Sequence, residues 1–342
     1  NKKKFYVFDY YNGKNKFKIP SLRKQLFELK KTLSKLEKIF FIEKSNLKIP
    51  ELVERHIYGN CTEGKEILKS KSSYLIIGSG CELKNRLVSS IFKQNNKKII
   101  QVVHGDSYGV YDDPVWSELG DQYNADFIIG YGEGYNKNQN SNYFNINTHS
   151  KYLAGSSKTI LNIIKDRLNY KISQNYKFIY FPTTFSGVSK RYGPHRDMPD
   201  QLYIDWQLQI FELFKKNIFF KIHPKEEFTK FYKNDFKLLD GDILKHFKKF
   251  NVLIFDHIST AFNFACSTNN YIIYFDLGTR KFNNYALQLI KKRALYYKID
   301  KKLPDYQNII NDLNNKYFSK KKINEEFIAN YCLANNKKRI NL

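Results

Sequence analysis

Cysteine is scarce in this chain of 342 residues. Cys61, Cys81, Cys266 and Cys332 are scattered, with no Cys-x-x-Cys pair and no Cys/His spacing suited to a metal. A disulfide framework and a zinc module are thereby set aside in favour of buried free thiols in a reducing compartment. No apolar run approaches the ~18 residues that a membrane-spanning helix needs, and the mean hydropathy is −0.57. The first residues also lack the apolar core of a secretory signal. The expected location is the cytoplasm, with room for a peripheral position at the inner face of the membrane.

Acidic residues are scarce too. Lys and Arg number 58 against 33 Asp and Glu, a net charge of +25, with 42% hydrophobic residues to build a core. Such a charge suits nucleic acid, an anionic membrane surface or anionic small molecules. Its distribution argues against nucleic acid. From Ile99 to Asn136 there is no Lys or Arg, while Asp106, Asp112, Asp113, Glu118, Asp121, Asp126 and Glu133 all fall there. Zinc-finger, RNP and basic-heptad signatures are absent as well. Residues 1–60 carry 15 basic side chains against 6 acids, which favours an anionic membrane surface as a possible partner.

Short apolar runs alternate with helical periodicity, the pattern of parallel α/β units. The first series has strands at Lys4 to Asp9, Lys38 to Ile42, Tyr74 to Ile77, Lys98 to Val103 and Asp126 to Ile129. Its helices are Leu22 to Leu36, Glu82 to Gln94 and Ser157 to Leu168. A polar stretch, Asn169 to Gln174, reads as a linker. The second series has strands at Phe178 to Phe181, Ile218 to Ile222, Phe236 to Leu239, Val252 to Phe255 and Tyr271 to Phe275. Helices at Asp200 to Lys216, Glu226 to Tyr232, Ile243 to Phe250 and Thr260 to Ser267 lie between and after them. Two Rossmann-like domains, 1–170 and 175–342, are expected to face a central cleft, with the last helix able to pack back on the first. Ligands should then meet the loops at the carboxyl ends of the strands.

Four such loops carry chemistry. The first reads His104-Gly105-Asp106-Ser107: a histidine at a strand end can take a hydroxyl proton, with Asp106 or the downstream Glu118 as orienter or alternative base. A strand cap and turn is the plain alternative. In the second, His223-Pro224-Lys225, proline holds His223 at the strand exit, where it and Lys225 can donate to a phosphate oxygen. The third, Asp256-His257-Ile258-Ser259-Thr260, leads straight into a helix capped by Ser259 or Thr260, and capping and phosphate binding share that geometry. The fourth, Pro182 to Pro199, combines small residues, including Thr183 and Thr184, with Arg191 and Arg196, and suits phosphate approach.

In order and spacing these motifs resemble the GT-B glycosyl- and polyol-phosphate transferases of bacterial surface polymers. Those include CDP-glycerol glycerophosphotransferases and relatives that use CMP-activated acidic sugars, such as polysialyltransferases and Kdo transferases. The segment His104 to Gly132 is also similar to that of a group of surface-carbohydrate transferases. The resemblance covers residues 70–280. It implies that His223, Ser259 and Thr260 hold the donor's phosphates and that His104 is the base. Ser259-Thr260 stands where many members have Ser-Ser, and Asp106-Ser107 where the glycerophosphotransferases have a Thr-Pro step.

The expected activity is a metal-independent, inverting glycosyltransferase. It would move a sugar from a CMP-linked donor to a capsule- or lipopolysaccharide-type glycan or lipid-linked acceptor, with no cofactor. The alternatives are a polyol-phosphate transferase and a nonenzymatic nucleotide- or carbohydrate-binding protein. An oxidoreductase is disfavoured because Gly78-Ser79-Gly80 lacks a third glycine. Asp240-Gly241-Asp242 spells a metal motif, but Asp242 is better placed as a helix cap.

Overall fold

The computed structural model describes residue 31 and residues 72–78, 83–103, 108–112, 125–135, 150–167, 175–183, 198–223, 236–299, 303–315 and 325–334. The expected elements Lys4 to Asp9, Lys38 to Ile42 and Glu226 to Tyr232, and the linker Asn169 to Gln174, lie outside them. Of Leu22 to Leu36, Lys31 is described and is helical.

The first sheet is formed by β1 (Tyr74–Ile77), β2 (Lys98–Val102), β3 (Phe127–Tyr131) and β4 (Lys151–Gly155), side by side in that order and all parallel. Helix α1 (Leu83–Gln94) connects β1 to β2. Val88 and Phe92, one turn apart, lie on its buried side with Leu75, Ile77 and Ile99. Strand alternation turns Ile76 the other way, where it is 56% exposed. β4 is not among the expected strands: Lys-Tyr-Leu-Ala-Gly has no β-branched residue, and its pairing with β3 makes it a strand. Helix α2 (Lys158–Arg167) follows.

The second sheet has six parallel strands: β5 (Phe178–Tyr180), β6 (Ile218–Lys221), β7 (Lys237–Leu239), β8 (Val252–Phe255), β9 (Tyr271–Asp276) and β10 (Leu295–Lys298). Their order is β7-β6-β5-β8-β9-β10. The chain steps outward from β5 to β7, returns to the far side of β5 as β8, and steps outward again to β10. This is the 3-2-1-4-5-6 order of a doubly wound dinucleotide-type fold, whose direction reverses between the first and fourth strands.

Both faces of this sheet are covered, so its central strands are apolar throughout rather than alternating. Val252 and Ile254 of β8 face one core with Tyr203, Trp206, Ile210 and Phe211 of α3 (Asp200–Leu213) and Ile309 and Leu313 of α7 (Tyr306–Asn314). Leu253 and Phe255 face the other. There they meet α4 (Ile243–Lys249), α5 (Thr260–Cys266), α6 (Asn284–Arg293) and α8 (Glu325–Tyr331), which contribute Phe247, Phe262, Leu289 and Phe327 among others.

Caps fix where these helices begin. Asp242 accepts from Leu244 N–H at 2.9 Å, the capping role rather than the metal one. Asn283 and Asp305 likewise open α6 and α7. Beyond β9 the expected series holds only a last helix without bounds, because polar and charged residues interrupt the periodicity there. Arg293 explains part of that ending: fully buried, it donates to the carbonyls of Ala265, Cys266, Thr268 and Asn270 at 2.9–3.2 Å. It thus satisfies the acceptors left at the end of α5. Cys266 and Cys332 are buried free thiols, and burial pushes Cys266 up to about 12.

Among the described residues the two halves touch at several places: Ile160 of α2 lies in the core of the second sheet, and Arg167 accepts from Asn269 on its carbonyl and pairs with Glu325 at 2.6 Å. Tyr111 forms an antiparallel bridge with Phe282. Flanking it, Asp112 N–H donates to Lys281 O, Asn283 N–H donates to Val110 O, and Lys281 pairs with Asp112 at 2.9 Å. Helix α8 also reaches the loop after β3, where Gly134 N–H donates to Asn330 O at 2.6 Å. Gly132 there has φ +67°, and a Cβ on it would lie 2.3 Å from Asn330 O.

Candidate active site at the reversal of the second sheet

The strand order reverses between β5 and β8, and it is beyond the carboxyl ends of the strands at such a reversal that a doubly wound sheet offers its ligand crevice. Phe181, Pro182 and Thr183 leave β5, and Asp256, His257, Ile258 and Ser259 leave β8 before α5 begins. Ser259 has extended geometry (φ −148°, ψ 173°) and its hydroxyl accepts from Phe262 N–H at 3.4 Å, so it caps α5. Thr260 is the first helical residue.

Directly behind the crevice lies a carboxylate with no exposed side-chain surface, Asp256. Its Oδ2 accepts from the Tyr180 hydroxyl of β5, and from the Tyr203 hydroxyl and the Trp206 indole N–H of α3, both at 3.0 Å. Its Oδ1 lies 2.9 Å from His257 Nδ1. An ionised carboxylate only accepts, so Nδ1 carries the proton of that bond. Tyr203 also receives Thr183 N–H at 2.9 Å. Burial, and then the Asp256 charge, hold the Tyr180 phenol well above its ordinary pKa, so it remains a donor.

Two further phenols approach from the side. Tyr274 of β9 donates to the Asp256 carbonyl at 3.3 Å, and Tyr111, from the first half, accepts Ile258 N–H at 3.3 Å. Burial pushes Tyr111 up to about 12, so it is neutral at physiological pH. At the neighbouring exit of β6, Lys221 is buried and donates to Ile222 O at 2.7 Å, and desolvation lowers its pKa.

Of the residues singled out from sequence, Thr183 follows β5, Ser259 and Thr260 follow the adjacent strand β8, and His223 follows β6 on the other side of β5. His104, Asp106, Glu118, Thr184, Arg191, Arg196 and Lys225 lie outside the described residues. Sequence reasoning quoted Asp256 and His257 in the third motif without giving either a role, and did not single out Tyr180, Tyr203, Trp206 or Lys221. The available signal was an acid immediately after a wholly apolar strand, where a buried charge demands partners. Among the described residues no cluster of three His, Cys, Asp or Glu could hold a metal. Two of the acids in the base-free stretch have structural partners: Asp112 in the bridge above, and Asp126 on Lys93 and Ile99 N–H.

Fold and site define an α/β protein of two parallel sheets, with a buried, hydrogen-bonded carboxylate at the strand reversal of the second. No protein-family model matches the chain, and no curated protein is significantly similar to it. Among solved structures it is similar to Staphylococcus aureus MnaA with UDP, at 13% identity over 81% of this chain and 78% of that one (TM-score 0.49). Acinetobacter baumannii MurG aligns at 8% identity over 77% and 71% (TM-score 0.42). Medicago truncatula UGT71G1 complexed with UDP-glucose aligns at 10% identity over 81% and 74% (TM-score 0.42). The site is therefore read from its own residues.

Proposed function

We propose that this chain is a glycosyltransferase of the GT-B type, whose second half holds a nucleotide-activated sugar at the exits of β5 and β8. The observation that carries this reading is the strand reversal between β5 and β8, with polar residues from both exits converging on it. Thr183, Ser259, Thr260 and His223 would meet the donor's phosphates, joined on grounds of sequence by Thr184, Lys225, Arg191 and Arg196. His104, assisted by Asp106 or Glu118, would serve the acceptor. The bridge at Tyr111 begins its contacts with the second half seven residues after His104, which supports a pairing of acceptor and donor sides.

In this scheme His104 takes the proton as the acceptor oxygen bonds to the anomeric carbon. The bond from that carbon to the phosphate oxygen breaks with its electrons leaving on the nucleotide. One displacement inverts the centre, and fixed phosphate donors stabilise the leaving group without a metal. The resemblance favours a CMP-linked donor and a surface glycan or lipid-linked acceptor, and the basic residues 1–60 favour an anionic membrane surface.

Thermal shifts with CMP, CDP, UDP and GDP test the reading, followed by transfer assays in EDTA and after His104→Ala. A shift with one nucleotide family, turnover that survives EDTA and turnover lost in the variant are expected. A preference for UDP or GDP overturns the CMP assignment, and no response to any nucleotide overturns the reading itself. Should the added unit carry phosphate by mass, the enzyme is the polyol-phosphate transferase to which the same motifs point.

A further inference from the structure

We propose that Asp256 is the positioning residue of this crevice: one buried carboxylate sets both rims, through Tyr203 on the β5 side and His257 on the β8 side. The inference rests on the crevice being the nucleotide site. An ionised carboxylate loses several kcal/mol of hydration when buried, and an apolar residue of similar size would cost the fold less. Asp256 is nevertheless enclosed at the exit of the central strand, with three donors on Oδ2 and one on Oδ1. Those donors come from β5, α3 and its own loop, the elements whose relative placement defines the crevice.

The connections have direction. The Tyr203 hydroxyl gives its one proton to Asp256 and accepts Thr183 N–H on a lone pair, so the backbone leaving β5 hangs from the carboxylate through a single oxygen. On the other side Asp256 takes the Nδ1 proton of His257 and so fixes both the plane and the tautomer of that ring. Trp206 supplies a third donor from the same helix as Tyr203, one turn on, and prevents the carboxylate from rotating toward either rim.

Two substitutions separate positioning from bulk stability. Tyr203→Phe keeps the ring and removes only the hydroxyl. Asp256→Asn keeps the shape and an acceptor for Tyr180, Tyr203 and Trp206, but presents an amide N–H to His257 and forces its proton to Nε2. The experiment uses the full chain. It measures CDP and UDP dissociation constants by calorimetry, near-ultraviolet circular dichroism for tertiary structure, and histidine ¹⁵N shifts at a pH where the rings are neutral.

Both variants should keep the wild-type tertiary signal and bind nucleotide at least ten-fold more weakly, and Asp256→Asn should also exchange the His257 tautomer. Should either fail to fold, Trp206→Phe, which removes one donor of four, should show a smaller loss of affinity in the same direction. Wild-type affinity in folded variants with an unchanged His257 signal overturns the inference and leaves the proposed function standing. A wild-type protein that binds neither nucleotide overturns the proposed function instead; the tautomer exchange then still decides whether Asp256 holds His257.

Discussion

β1 and β8 are both parallel strands of four residues, Tyr-Leu-Ile-Ile and Val-Leu-Ile-Phe, nearly alike in sequence and unlike in surroundings. β8 is buried along its whole length between β5 and β9, with an aromatic-rich core on each face. β1 pairs only with β2 among the described residues and buries Leu75 and Ile77 in a small cluster, leaving Ile76 exposed. A strand's apolar character therefore does not set its burial; the elements packed against it do. The second sheet encloses its central strands on both faces, and the buried carboxylate of Asp256 sits at the end of one of them.

The contrast can be broken most directly in the two cores. Phe262→Ala, beneath the crevice, should cost about 3–5 kcal/mol in denaturant unfolding, with Phe92→Ala in the first sheet at or below the lower end of that range. An equal or larger loss at Phe92 would dissolve the distinction. Next in size, Arg293→Met should cost about 2–4 kcal/mol, because the carbonyls it satisfies remain buried without it. A loss under 1 kcal/mol, read from the same titration, would mean that those carbonyls find other partners.

Gly132→Ala tests the join between the halves. A left-handed φ and a close approach to Asn330 together predict a loss of about 1–2 kcal/mol, with faster hydrogen exchange in α8. Asp126→Asn gives the smallest effect. Burial opposes ionisation of Asp126, but the bond from Lys93, the Ile99 N–H and the charge of Lys98 outweigh it and hold the carboxyl below its ordinary 3.8. A depressed carboxylate stabilises the fold above its unfolded-state pKa and ceases to do so as pH falls through the folded one. The variant should therefore lose about 0.5 kcal/mol at neutral pH, after solvent screening, and match the wild type in strong acid. A difference that persists in acid would show that charge is not its source.

Much of this architecture was legible in the residues, for reasons that differ by element. Val252 to Phe255 and Tyr74 to Ile77 are apolar runs set off by their flanking residues, and Asp242 and Ser259 stand one residue before their helices. Strand β4 and the bounds of the elements beyond β9 were not legible, because Lys151 to Gly155 owes its conformation to β3 and the last buried position of α6 is taken by a charged residue, Arg293. The site was half legible. The strand-exit positions of Thr183, Ser259 and Thr260 follow from the sequence pattern, whereas the three partners of Asp256 Oδ2 lie 50 to 76 residues upstream on α3 and β5. Local pattern carries no information about that convergence; the reversed strand order creates it.

The central claim, that the nucleotide is held where β5 and β8 diverge, is tested most directly by hydrogen–deuterium exchange read by mass spectrometry, with and without a saturating nucleotide that gives a thermal shift. The account predicts new protection in peptides spanning Phe181 to Thr183 and Asp256 to Phe262, with the first sheet little changed. Protection confined to the first sheet, with those two exits exchanging as in the free protein, would contradict it.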